Sequence, residues 1–100
     1  MPARPRKLDA ETVEAALREL AGWSLSGGKL HAEFRFANFN AAFAFMTRVA
    51  LAAESANHHP EWSNVYDRVR VDLTTHDAGG ITQLDLDLAA RMNEFAAQMA

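Results

Sequence analysis

Apolar and polar residues recur along this chain of 100 residues with two different periods, one typical of helices and one typical of strands. Residues 9–20 have helical spacing, and Asp9 is suited to cap the first turn. A second helix is predicted from Asn38 or Asn40 to about Asn57. Its apolar stripe is formed by Phe39, Phe43, Met46, Val49, Ala50 and Ala53. A third helix is predicted to begin near Thr82. Its stripe is formed by Leu88, Met92, Phe95 and Met99.

Strict alternation of apolar and polar residues marks the strands between these helices. Residues 30–36 alternate throughout, which predicts a half-buried antiparallel strand. A short strand at residues 23–25 precedes it across a glycine turn and completes a hairpin. Residues 61–66 and 69–75 predict a second hairpin that turns near Asp67 and Arg68.

The order of elements is therefore α-β-β-α-β-β-α, which predicts an α+β fold. Two hairpins favour a four-stranded antiparallel sheet with three helices on one face. The other face is left open to solvent or to another subunit. Residues 8–100 form a single domain in this interpretation. Residues 1–7 form a flexible basic N-terminal arm that contains Arg4, Arg6 and Lys7.

Composition narrows the classes of protein that the chain can belong to. The net charge of −3 argues against a nucleic-acid binder. The chain has no cysteine, which excludes disulfides and thiolate metal sites and suits a reducing cytoplasm. No apolar run approaches the roughly 20 residues of a membrane span. We expect a cytoplasmic protein that forms a homodimer or homotetramer, because a core this small gives little stability by itself.

The candidate chemistry is concentrated in residues 54–62, which contain two of the four histidines, His58 and His59. Glu54 precedes His58 by four residues at a helix end, so the two side chains are predicted to meet. Pro60 ends the helix and stiffens the exit of His59. His76 follows a strand and precedes a glycine loop. The alternative to a functional site is that His58 and His59 are surface residues at a polar helix end.

One further motif has two possible roles, and the motifs of several common enzyme classes do not occur. Thr82-Gln83-Leu84-Asp85 resembles a capping box, so Asp85 is assigned to the helix cap, to a site, or to both. Adjacent histidines cannot easily face one zinc, and no zinc-protease motif occurs. No phosphate loop or nucleophile elbow occurs either. We expect neither a metal nor a cofactor.

Taken together, these residues resemble the pterin-4a-carbinolamine dehydratase family over roughly residues 8–99. Three separated blocks agree with the family in residue type and spacing. They are Glu54-x3-His58-His59-Pro60, Trp62-x-Asn64-Val65-Tyr66, and Thr75-His76 with Asp85 after the glycine loop. The family's fold is the one predicted above, and its members are dimers or tetramers. A transcription-cofactor role known in animals is not carried by this motif.

The resemblance implies dehydration of a pterin-4a-carbinolamine to quinonoid dihydropterin, in tetrahydropterin recycling, by histidine acid–base catalysis. Its catalytic residues would be His58, His59 and His76. The supporting residues would be Glu54, Pro60, Glu61, Trp62 and Asp85. Leu84 is a departure, since some relatives have arginine there. Two alternatives remain open: a non-catalytic binding module of the same fold, and an enzyme acting on another pterin, such as in molybdenum-cofactor metabolism.

Overall fold

Seven helices and strands follow one another in the predicted order, in a computed structural model that describes residues 5–99. They are α1 (Ala10–Leu17), β1 (Ser24–Ser26), β2 (Lys29–Arg35), α2 (Phe39–Ala56), β3 (Glu61–Val65), β4 (Arg68–Leu73) and α3 (Gln83–Gln98). A 3₁₀ turn, His76–Ala78, lies between β4 and α3. The predicted α+β fold is confirmed.

The four strands form one antiparallel sheet in the order β1-β2-β4-β3. The central pair, β2 and β4, places Ala32 opposite Val71. Alternate residues of these two strands are buried beneath the helices: Leu30, Ala32, Val69, Val71 and Leu73. The alternation seen in the sequence therefore identified the helix-covered face correctly.

The opposite face of the sheet is charged. Lys29 pairs with Glu61 at 2.6 Å, and His31 pairs with Asp72 at 2.9 Å. The hydrogen bond that Lys29 donates to Glu61 raises the pKa of the Lys29 ammonium. Charged side chains that are already paired on an exposed surface are well hydrated, so this face does not need a second subunit to cover it.

The first helix is shorter than the sequence pattern predicts. Asp9 caps it as expected, because its carboxylate accepts from the backbone N–H of Thr12 at 2.8 Å. Hydrogen bonding by the Thr12 side chain, and then by its backbone N–H, lowers the pKa of Asp9. The regular helix ends at Leu17, and turns continue to Leu20, where the prediction had ended the helix. The first strand is also displaced by one residue. It begins at Ser24, and Trp23, which was predicted to be its first residue, is buried in the core.

The apolar stripe predicted for α2 matches the buried face only in part, at Val49 and Ala53. Ala42, Phe45, Val49 and Ala53 face the core. Phe39 and Phe43 are instead 49% and 53% exposed. The helix carries two neighbouring apolar rows, and periodicity alone does not distinguish them. Phe45 occupies the core position because it packs against Phe34 of β2 and against Phe36, which follows that strand. The ring centroid of Phe45 lies 4.8 Å from that of Phe34 and 4.9 Å from that of Phe36.

The predicted N-terminal arm lies partly outside the described residues, which begin at Pro5. Within them, the backbone N–H of Leu8 donates to the carbonyl of Ile81 at 2.8 Å. This hydrogen bond places Leu8 beside the loop that precedes α3. Across residues 5–99, no helix is both long and apolar enough to span a membrane. The cytoplasmic location stays a prediction.

Candidate active site

The C-terminal end of α2 directs the first two histidines. Asn57 takes the left-handed conformation, with φ 51° and ψ 42°. The backbone N–H of the next residue, His58, then bonds back to the carbonyl of Ala53 at 3.0 Å. This is the hydrogen bond of a Schellman motif, which satisfies a helix-end carbonyl and turns the chain sharply. The turn buries His58 beneath the helix end, whereas His59 stays exposed.

The third histidine is carried by a turn after β4. That strand ends at Leu73, and Thr75 then forms a bridge with Gly80 that closes a short loop. His76 begins the 3₁₀ turn within this loop, which Gly79 ends in a left-handed conformation with φ 76°. If the alternation of β4 continued to His76, this residue would lie on the face of the sheet away from the helices. Because the strand ends first, His76 is free to face the end of α2.

These two segments enclose a cleft of about 690 Å³. It is lined by Pro5, Ala56, Asn57, His58, His59, Glu61, Thr74, Thr75, His76, Asp77 and Leu84. The three predicted catalytic histidines therefore share one cavity, together with the predicted supporting residue Glu61. Segments that are distant in sequence meet there because β3 and β4 are paired and α3 begins beside them.

His58 is fixed by a buried carboxylate. Its Nε2 lies 2.5 Å from Oδ1 of Asp85, and the two residues are 8% and 0% exposed. The other carboxylate oxygen of Asp85 accepts from the hydroxyl of Thr75 at 2.8 Å and from the backbone N–H of Thr82 at 2.9 Å. Three hydrogen-bond contacts thus converge on one carboxylate. Together they hold the imidazole of His58 in a single orientation.

Glu54 does not contact His58, which corrects the pairing predicted from helical spacing. Its Oε1 instead lies 2.8 Å from Nε2 of His59. The reason is the turn at Asn57, which carries His58 under the helix and leaves His59 on the outer side with Glu54. The pair is solvent exposed, at 57% for the histidine side chain and 81% for the glutamate.

The remaining predicted site residues lie in different places. Asp85 completes the capping box of α3, so that role is seen. It also contacts His58 of the cleft, and its role in the site stays a prediction. Trp62 packs against the core on the helix-covered face of the sheet, and neither it nor Pro60 lines the cleft. Glu61 lines the cleft and is also bonded to Lys29.

Sequence reasoning missed two threonines that hold the site together. Thr75 and Thr82 are buried, and their hydroxyl oxygens are 2.7 Å apart. The capping-box motif pointed to Thr82, but nothing in the sequence indicated that its hydroxyl meets that of Thr75. That contact depends on the loop closed by the Thr75–Gly80 bridge.

The cleft is suited to proton transfer. Imidazole is the side chain that most readily gives and takes protons near neutral pH, and three converge here. No lysine or arginine lines the cavity among the described residues. Within the same residues, no three histidine or carboxylate side chains form a cluster that could hold a metal ion.

The chain is similar to known proteins over most of its length. The sequence profile of the family described as "Pterin 4 alpha carbinolamine dehydratase" matches residues 6–95. A protein of Solibacter usitatus is 56% identical over 91 residues, which cover 91% of this chain and 96% of the relative. A protein of Mesorhizobium japonicum is 57% identical over 91 residues, which cover 89% of this chain and 93% of the relative. Both are named "putative pterin-4-alpha-carbinolamine dehydratase".

A solved structure shares the fold. The crystal structure of a protein from Brucella melitensis, described as a transcriptional coactivator/pterin dehydratase, superposes with a TM-score of 0.88. Its sequence is 43% identical, and the match covers 91% of this chain and 99% of that one.

Proposed function

The chain belongs to the pterin-4a-carbinolamine dehydratase family, whose members are hydro-lyases, and we propose that it dehydrates 4a-hydroxytetrahydropterin to quinonoid dihydropterin and water. The observation that carries this proposal is the convergence of His58, His59 and His76 on one cleft, with His58 held by buried Asp85. We propose tetrahydropterin recycling as the setting of the reaction.

The reaction requires two proton transfers and no change of oxidation state. The bond from C4a to its hydroxyl oxygen breaks, the hydroxyl takes a proton and leaves as water, and N5 loses its proton as the C4a–N5 double bond forms. The nitrogen lone pair assists this departure, so the spontaneous reaction is already appreciable. A pair of positioned imidazoles then needs to contribute only about 10²–10⁴-fold.

His58 and His76 are the proposed proton-transfer residues. His58 is bound to Asp85 through Nε2, so only its Nδ1 can act on a molecule in the cleft. A neutral His58 would accept the N5 proton there, and Asp85 would stabilise the resulting imidazolium. His76, on the separate 3₁₀ turn, would protonate the departing hydroxyl from another side of the ring. Proton exchange with solvent then restores both imidazoles.

His59 has a different proposed role, which is to bind and orient the pterin. Its side chain is 57% exposed and its carboxylate partner, Glu54, is 81% exposed, so the pair lies at the rim of the cleft. A rim residue that is open to water is poorly placed to control a proton transfer. It can, however, present a ring N–H or a ring face to a flat substrate as that substrate enters.

The charges of the cleft favour an uncharged pterin over a phosphate-bearing one. Glu61 and Asp77 line the cavity, whereas none of its described lining residues is lysine or arginine. Leu84 lies in the cavity wall at the position where some relatives have arginine. Glu61 is already paired with Lys29, so an anionic substituent would meet the carboxylate of Asp77 with no cationic side chain among the described lining residues, which is unfavourable.

We also propose that the chain forms a homo-oligomer, although its charged sheet face does not support that assembly. The exposed apolar side chains of α2 support the assembly. Phe39 and Phe43 contact each other, with ring centroids 5.7 Å apart, and Leu51 is 70% exposed. Several large apolar side chains exposed on one helix are typical of a protein–protein contact. A second copy of the chain is the proposed occupant.

A stopped-flow assay on synthetic 4a-hydroxytetrahydropterin tests the enzymatic proposal. The wild type should accelerate dehydration above the spontaneous rate at the same pH. His58→Ala and His76→Ala should mainly lower kcat, whereas His59→Ala should mainly raise KM. If the wild type bound the pterin without accelerating its dehydration, the chain would be a binding module of this fold.

A further inference from the structure

The carboxylate of Asp85 is itself held by a hydroxyl chain whose hydrogen bonds have a fixed direction. Thr75 has one hydroxyl proton, and it is donated to Oδ2 of Asp85 at 2.8 Å. The 2.7 Å contact between the two threonine hydroxyls must then use the proton of Thr82. The hydroxyl oxygen of Thr82 accepts in turn from the backbone N–H of Leu84 at 3.2 Å.

This chain leaves His58 only one neutral tautomer. Thr75 and the backbone N–H of Thr82 donate to Oδ2, and the other carboxylate oxygen, Oδ1, can only accept a hydrogen bond from the ring of His58. The ring nitrogen facing it, Nε2, must therefore carry the proton. The other nitrogen, Nδ1, has no hydrogen-bond partner among residues 5–99, and no buried side-chain nitrogen or oxygen there lacks one. Nδ1 is thus accessible from the cleft.

We infer that Thr75 is a positioning residue for the proposed dehydration, and that its hydroxyl, through Asp85, keeps His58 in the Nε2–H tautomer with the Nδ1 lone pair directed into the cleft. This inference rests on the proposed function for its effect on rate, but its effect on the tautomer does not. Thr82 supports the same arrangement from the N-cap of α3. Thr82, the N-cap of α3, is thereby linked through hydrogen bonds to His58 at the end of α2.

The geometry at Thr75 allows its hydroxyl to be removed without its backbone contacts. The backbone N–H of Thr75 donates to Gly80 at 2.9 Å, and that bond closes the loop independently of the side chain. Valine has nearly the shape of threonine and suits the extended backbone of this residue, with φ −107° and ψ 99°. Serine retains the hydroxyl and loses only a methyl group. Thr75→Val and Thr75→Ser are therefore a matched pair.

The test combines ¹⁵N NMR of the His58 ring with steady-state kinetics. In the wild type and in Thr75→Ser, the ring nitrogens should show a single Nε2–H tautomer above the pH at which the ring titrates. Thr75→Val should show a mixture of tautomers and a kcat lower by about ten- to a hundredfold, the usual effect of losing a hydrogen bond to a charged group. Its KM should change little, because Thr75 acts through Asp85.

Three outcomes would overturn the inference. The first is an Nδ1–H tautomer in the wild type, which needs no variant and so does not depend on whether Thr75→Val folds. The second is a Thr75→Val protein with both the wild-type tautomer and the wild-type kcat. The third is a Thr75→Ser protein that is as impaired as Thr75→Val. A wild type that shows the expected tautomers but no dehydratase activity would instead contradict the proposed function and leave the positioning role intact.

Discussion

The imidazole of His58 is hydrogen bonded at 2.5 Å to the carboxylate of Asp85, a residue 27 positions later in the chain. This contact joins the end of α2 to the first turn of α3 and is shielded from water on the carboxylate side. A buried carboxylate bound to an imidazole holds the ring and stabilises its protonated form. We therefore expect Asp85 to contribute to the rate of the reaction as well as to the fold.

Asp85→Asn should lower kcat by roughly 10²-fold, the contribution of one well-placed acid–base group. The amide cannot accept from His58, Thr75 and the Thr82 backbone together, because one of its two oxygens is replaced by a donor. Asp87→Asn is the matched control, since Asp87 is exposed on the same helix and bonds only to Gln83 among the described residues. Equal kinetics for the two variants would count against the role given to Asp85.

Glu54→Gln should raise KM by about two- to fivefold and leave kcat unchanged, because the exposed pair of Glu54 and His59 contributes little energy. The expected effect follows from the observed partner of Glu54, which is the rim histidine. Glu14→Gln on the exposed part of α1 controls for the lost charge. A large fall in kcat with unchanged KM would mean that Glu54 acts on the chemical step.

The cap of α1 should make a pH-dependent contribution to stability. The hydrogen bond from Thr12 lowers the pKa of Asp9 below its ordinary value of 3.8. The stabilisation is therefore fully present above that value and is lost as the pH falls through the lower, folded-state pKa. Asp9→Asn, which still caps the helix, should lower Tm slightly at pH 7 and not at pH 2. Thermal melts that differ equally at both pH values would contradict this assignment.

Light scattering at micromolar concentration should give at least a dimer of the 11.0 kDa chain. Phe43→Glu should shift the mass towards the monomer, because it places a charge among the exposed apolar side chains of α2. Ala15→Glu adds the same charge to an exposed position of α1 and should leave the mass unchanged. A wild-type monomer would refute the proposed assembly, and an unaffected Phe43→Glu oligomer would move the contact elsewhere.

The parts of this fold that depend on local sequence were the ones that could be predicted. Alternation in residues 30–36 identified the strand, and the residues at Asp9 and Thr82 identified helix caps. Each of these signals acts over a few neighbouring residues. The burial of Phe45 rather than Phe43 could not be predicted, because it depends on the positions of Phe34 in β2 and of Phe36 just after it.

The candidate site also combines features that the sequence pattern predicts with features that depend on contacts between distant residues. The three histidines could be predicted as site residues because the family pattern consists of residue types at fixed spacing. The sequence alone shows both. The partner of Glu54 was predicted incorrectly because the rule of four-residue spacing assumes that the helix continues. The left-handed Asn57 ends it one residue before His58. The buried threonine pair depends on a loop closure that no local pattern encodes.

The most direct test of the account is the rate of 4a-hydroxytetrahydropterin dehydration by a variant that lacks both proposed proton-transfer groups. The double variant His58→Ala/His76→Ala should fold and fall to the spontaneous rate at the same pH. His31→Ala should keep the wild-type rate, because that histidine pairs with Asp72 on the opposite face of the sheet. A double variant with wild-type turnover would contradict the claim that the imidazoles of this cleft carry out the reaction.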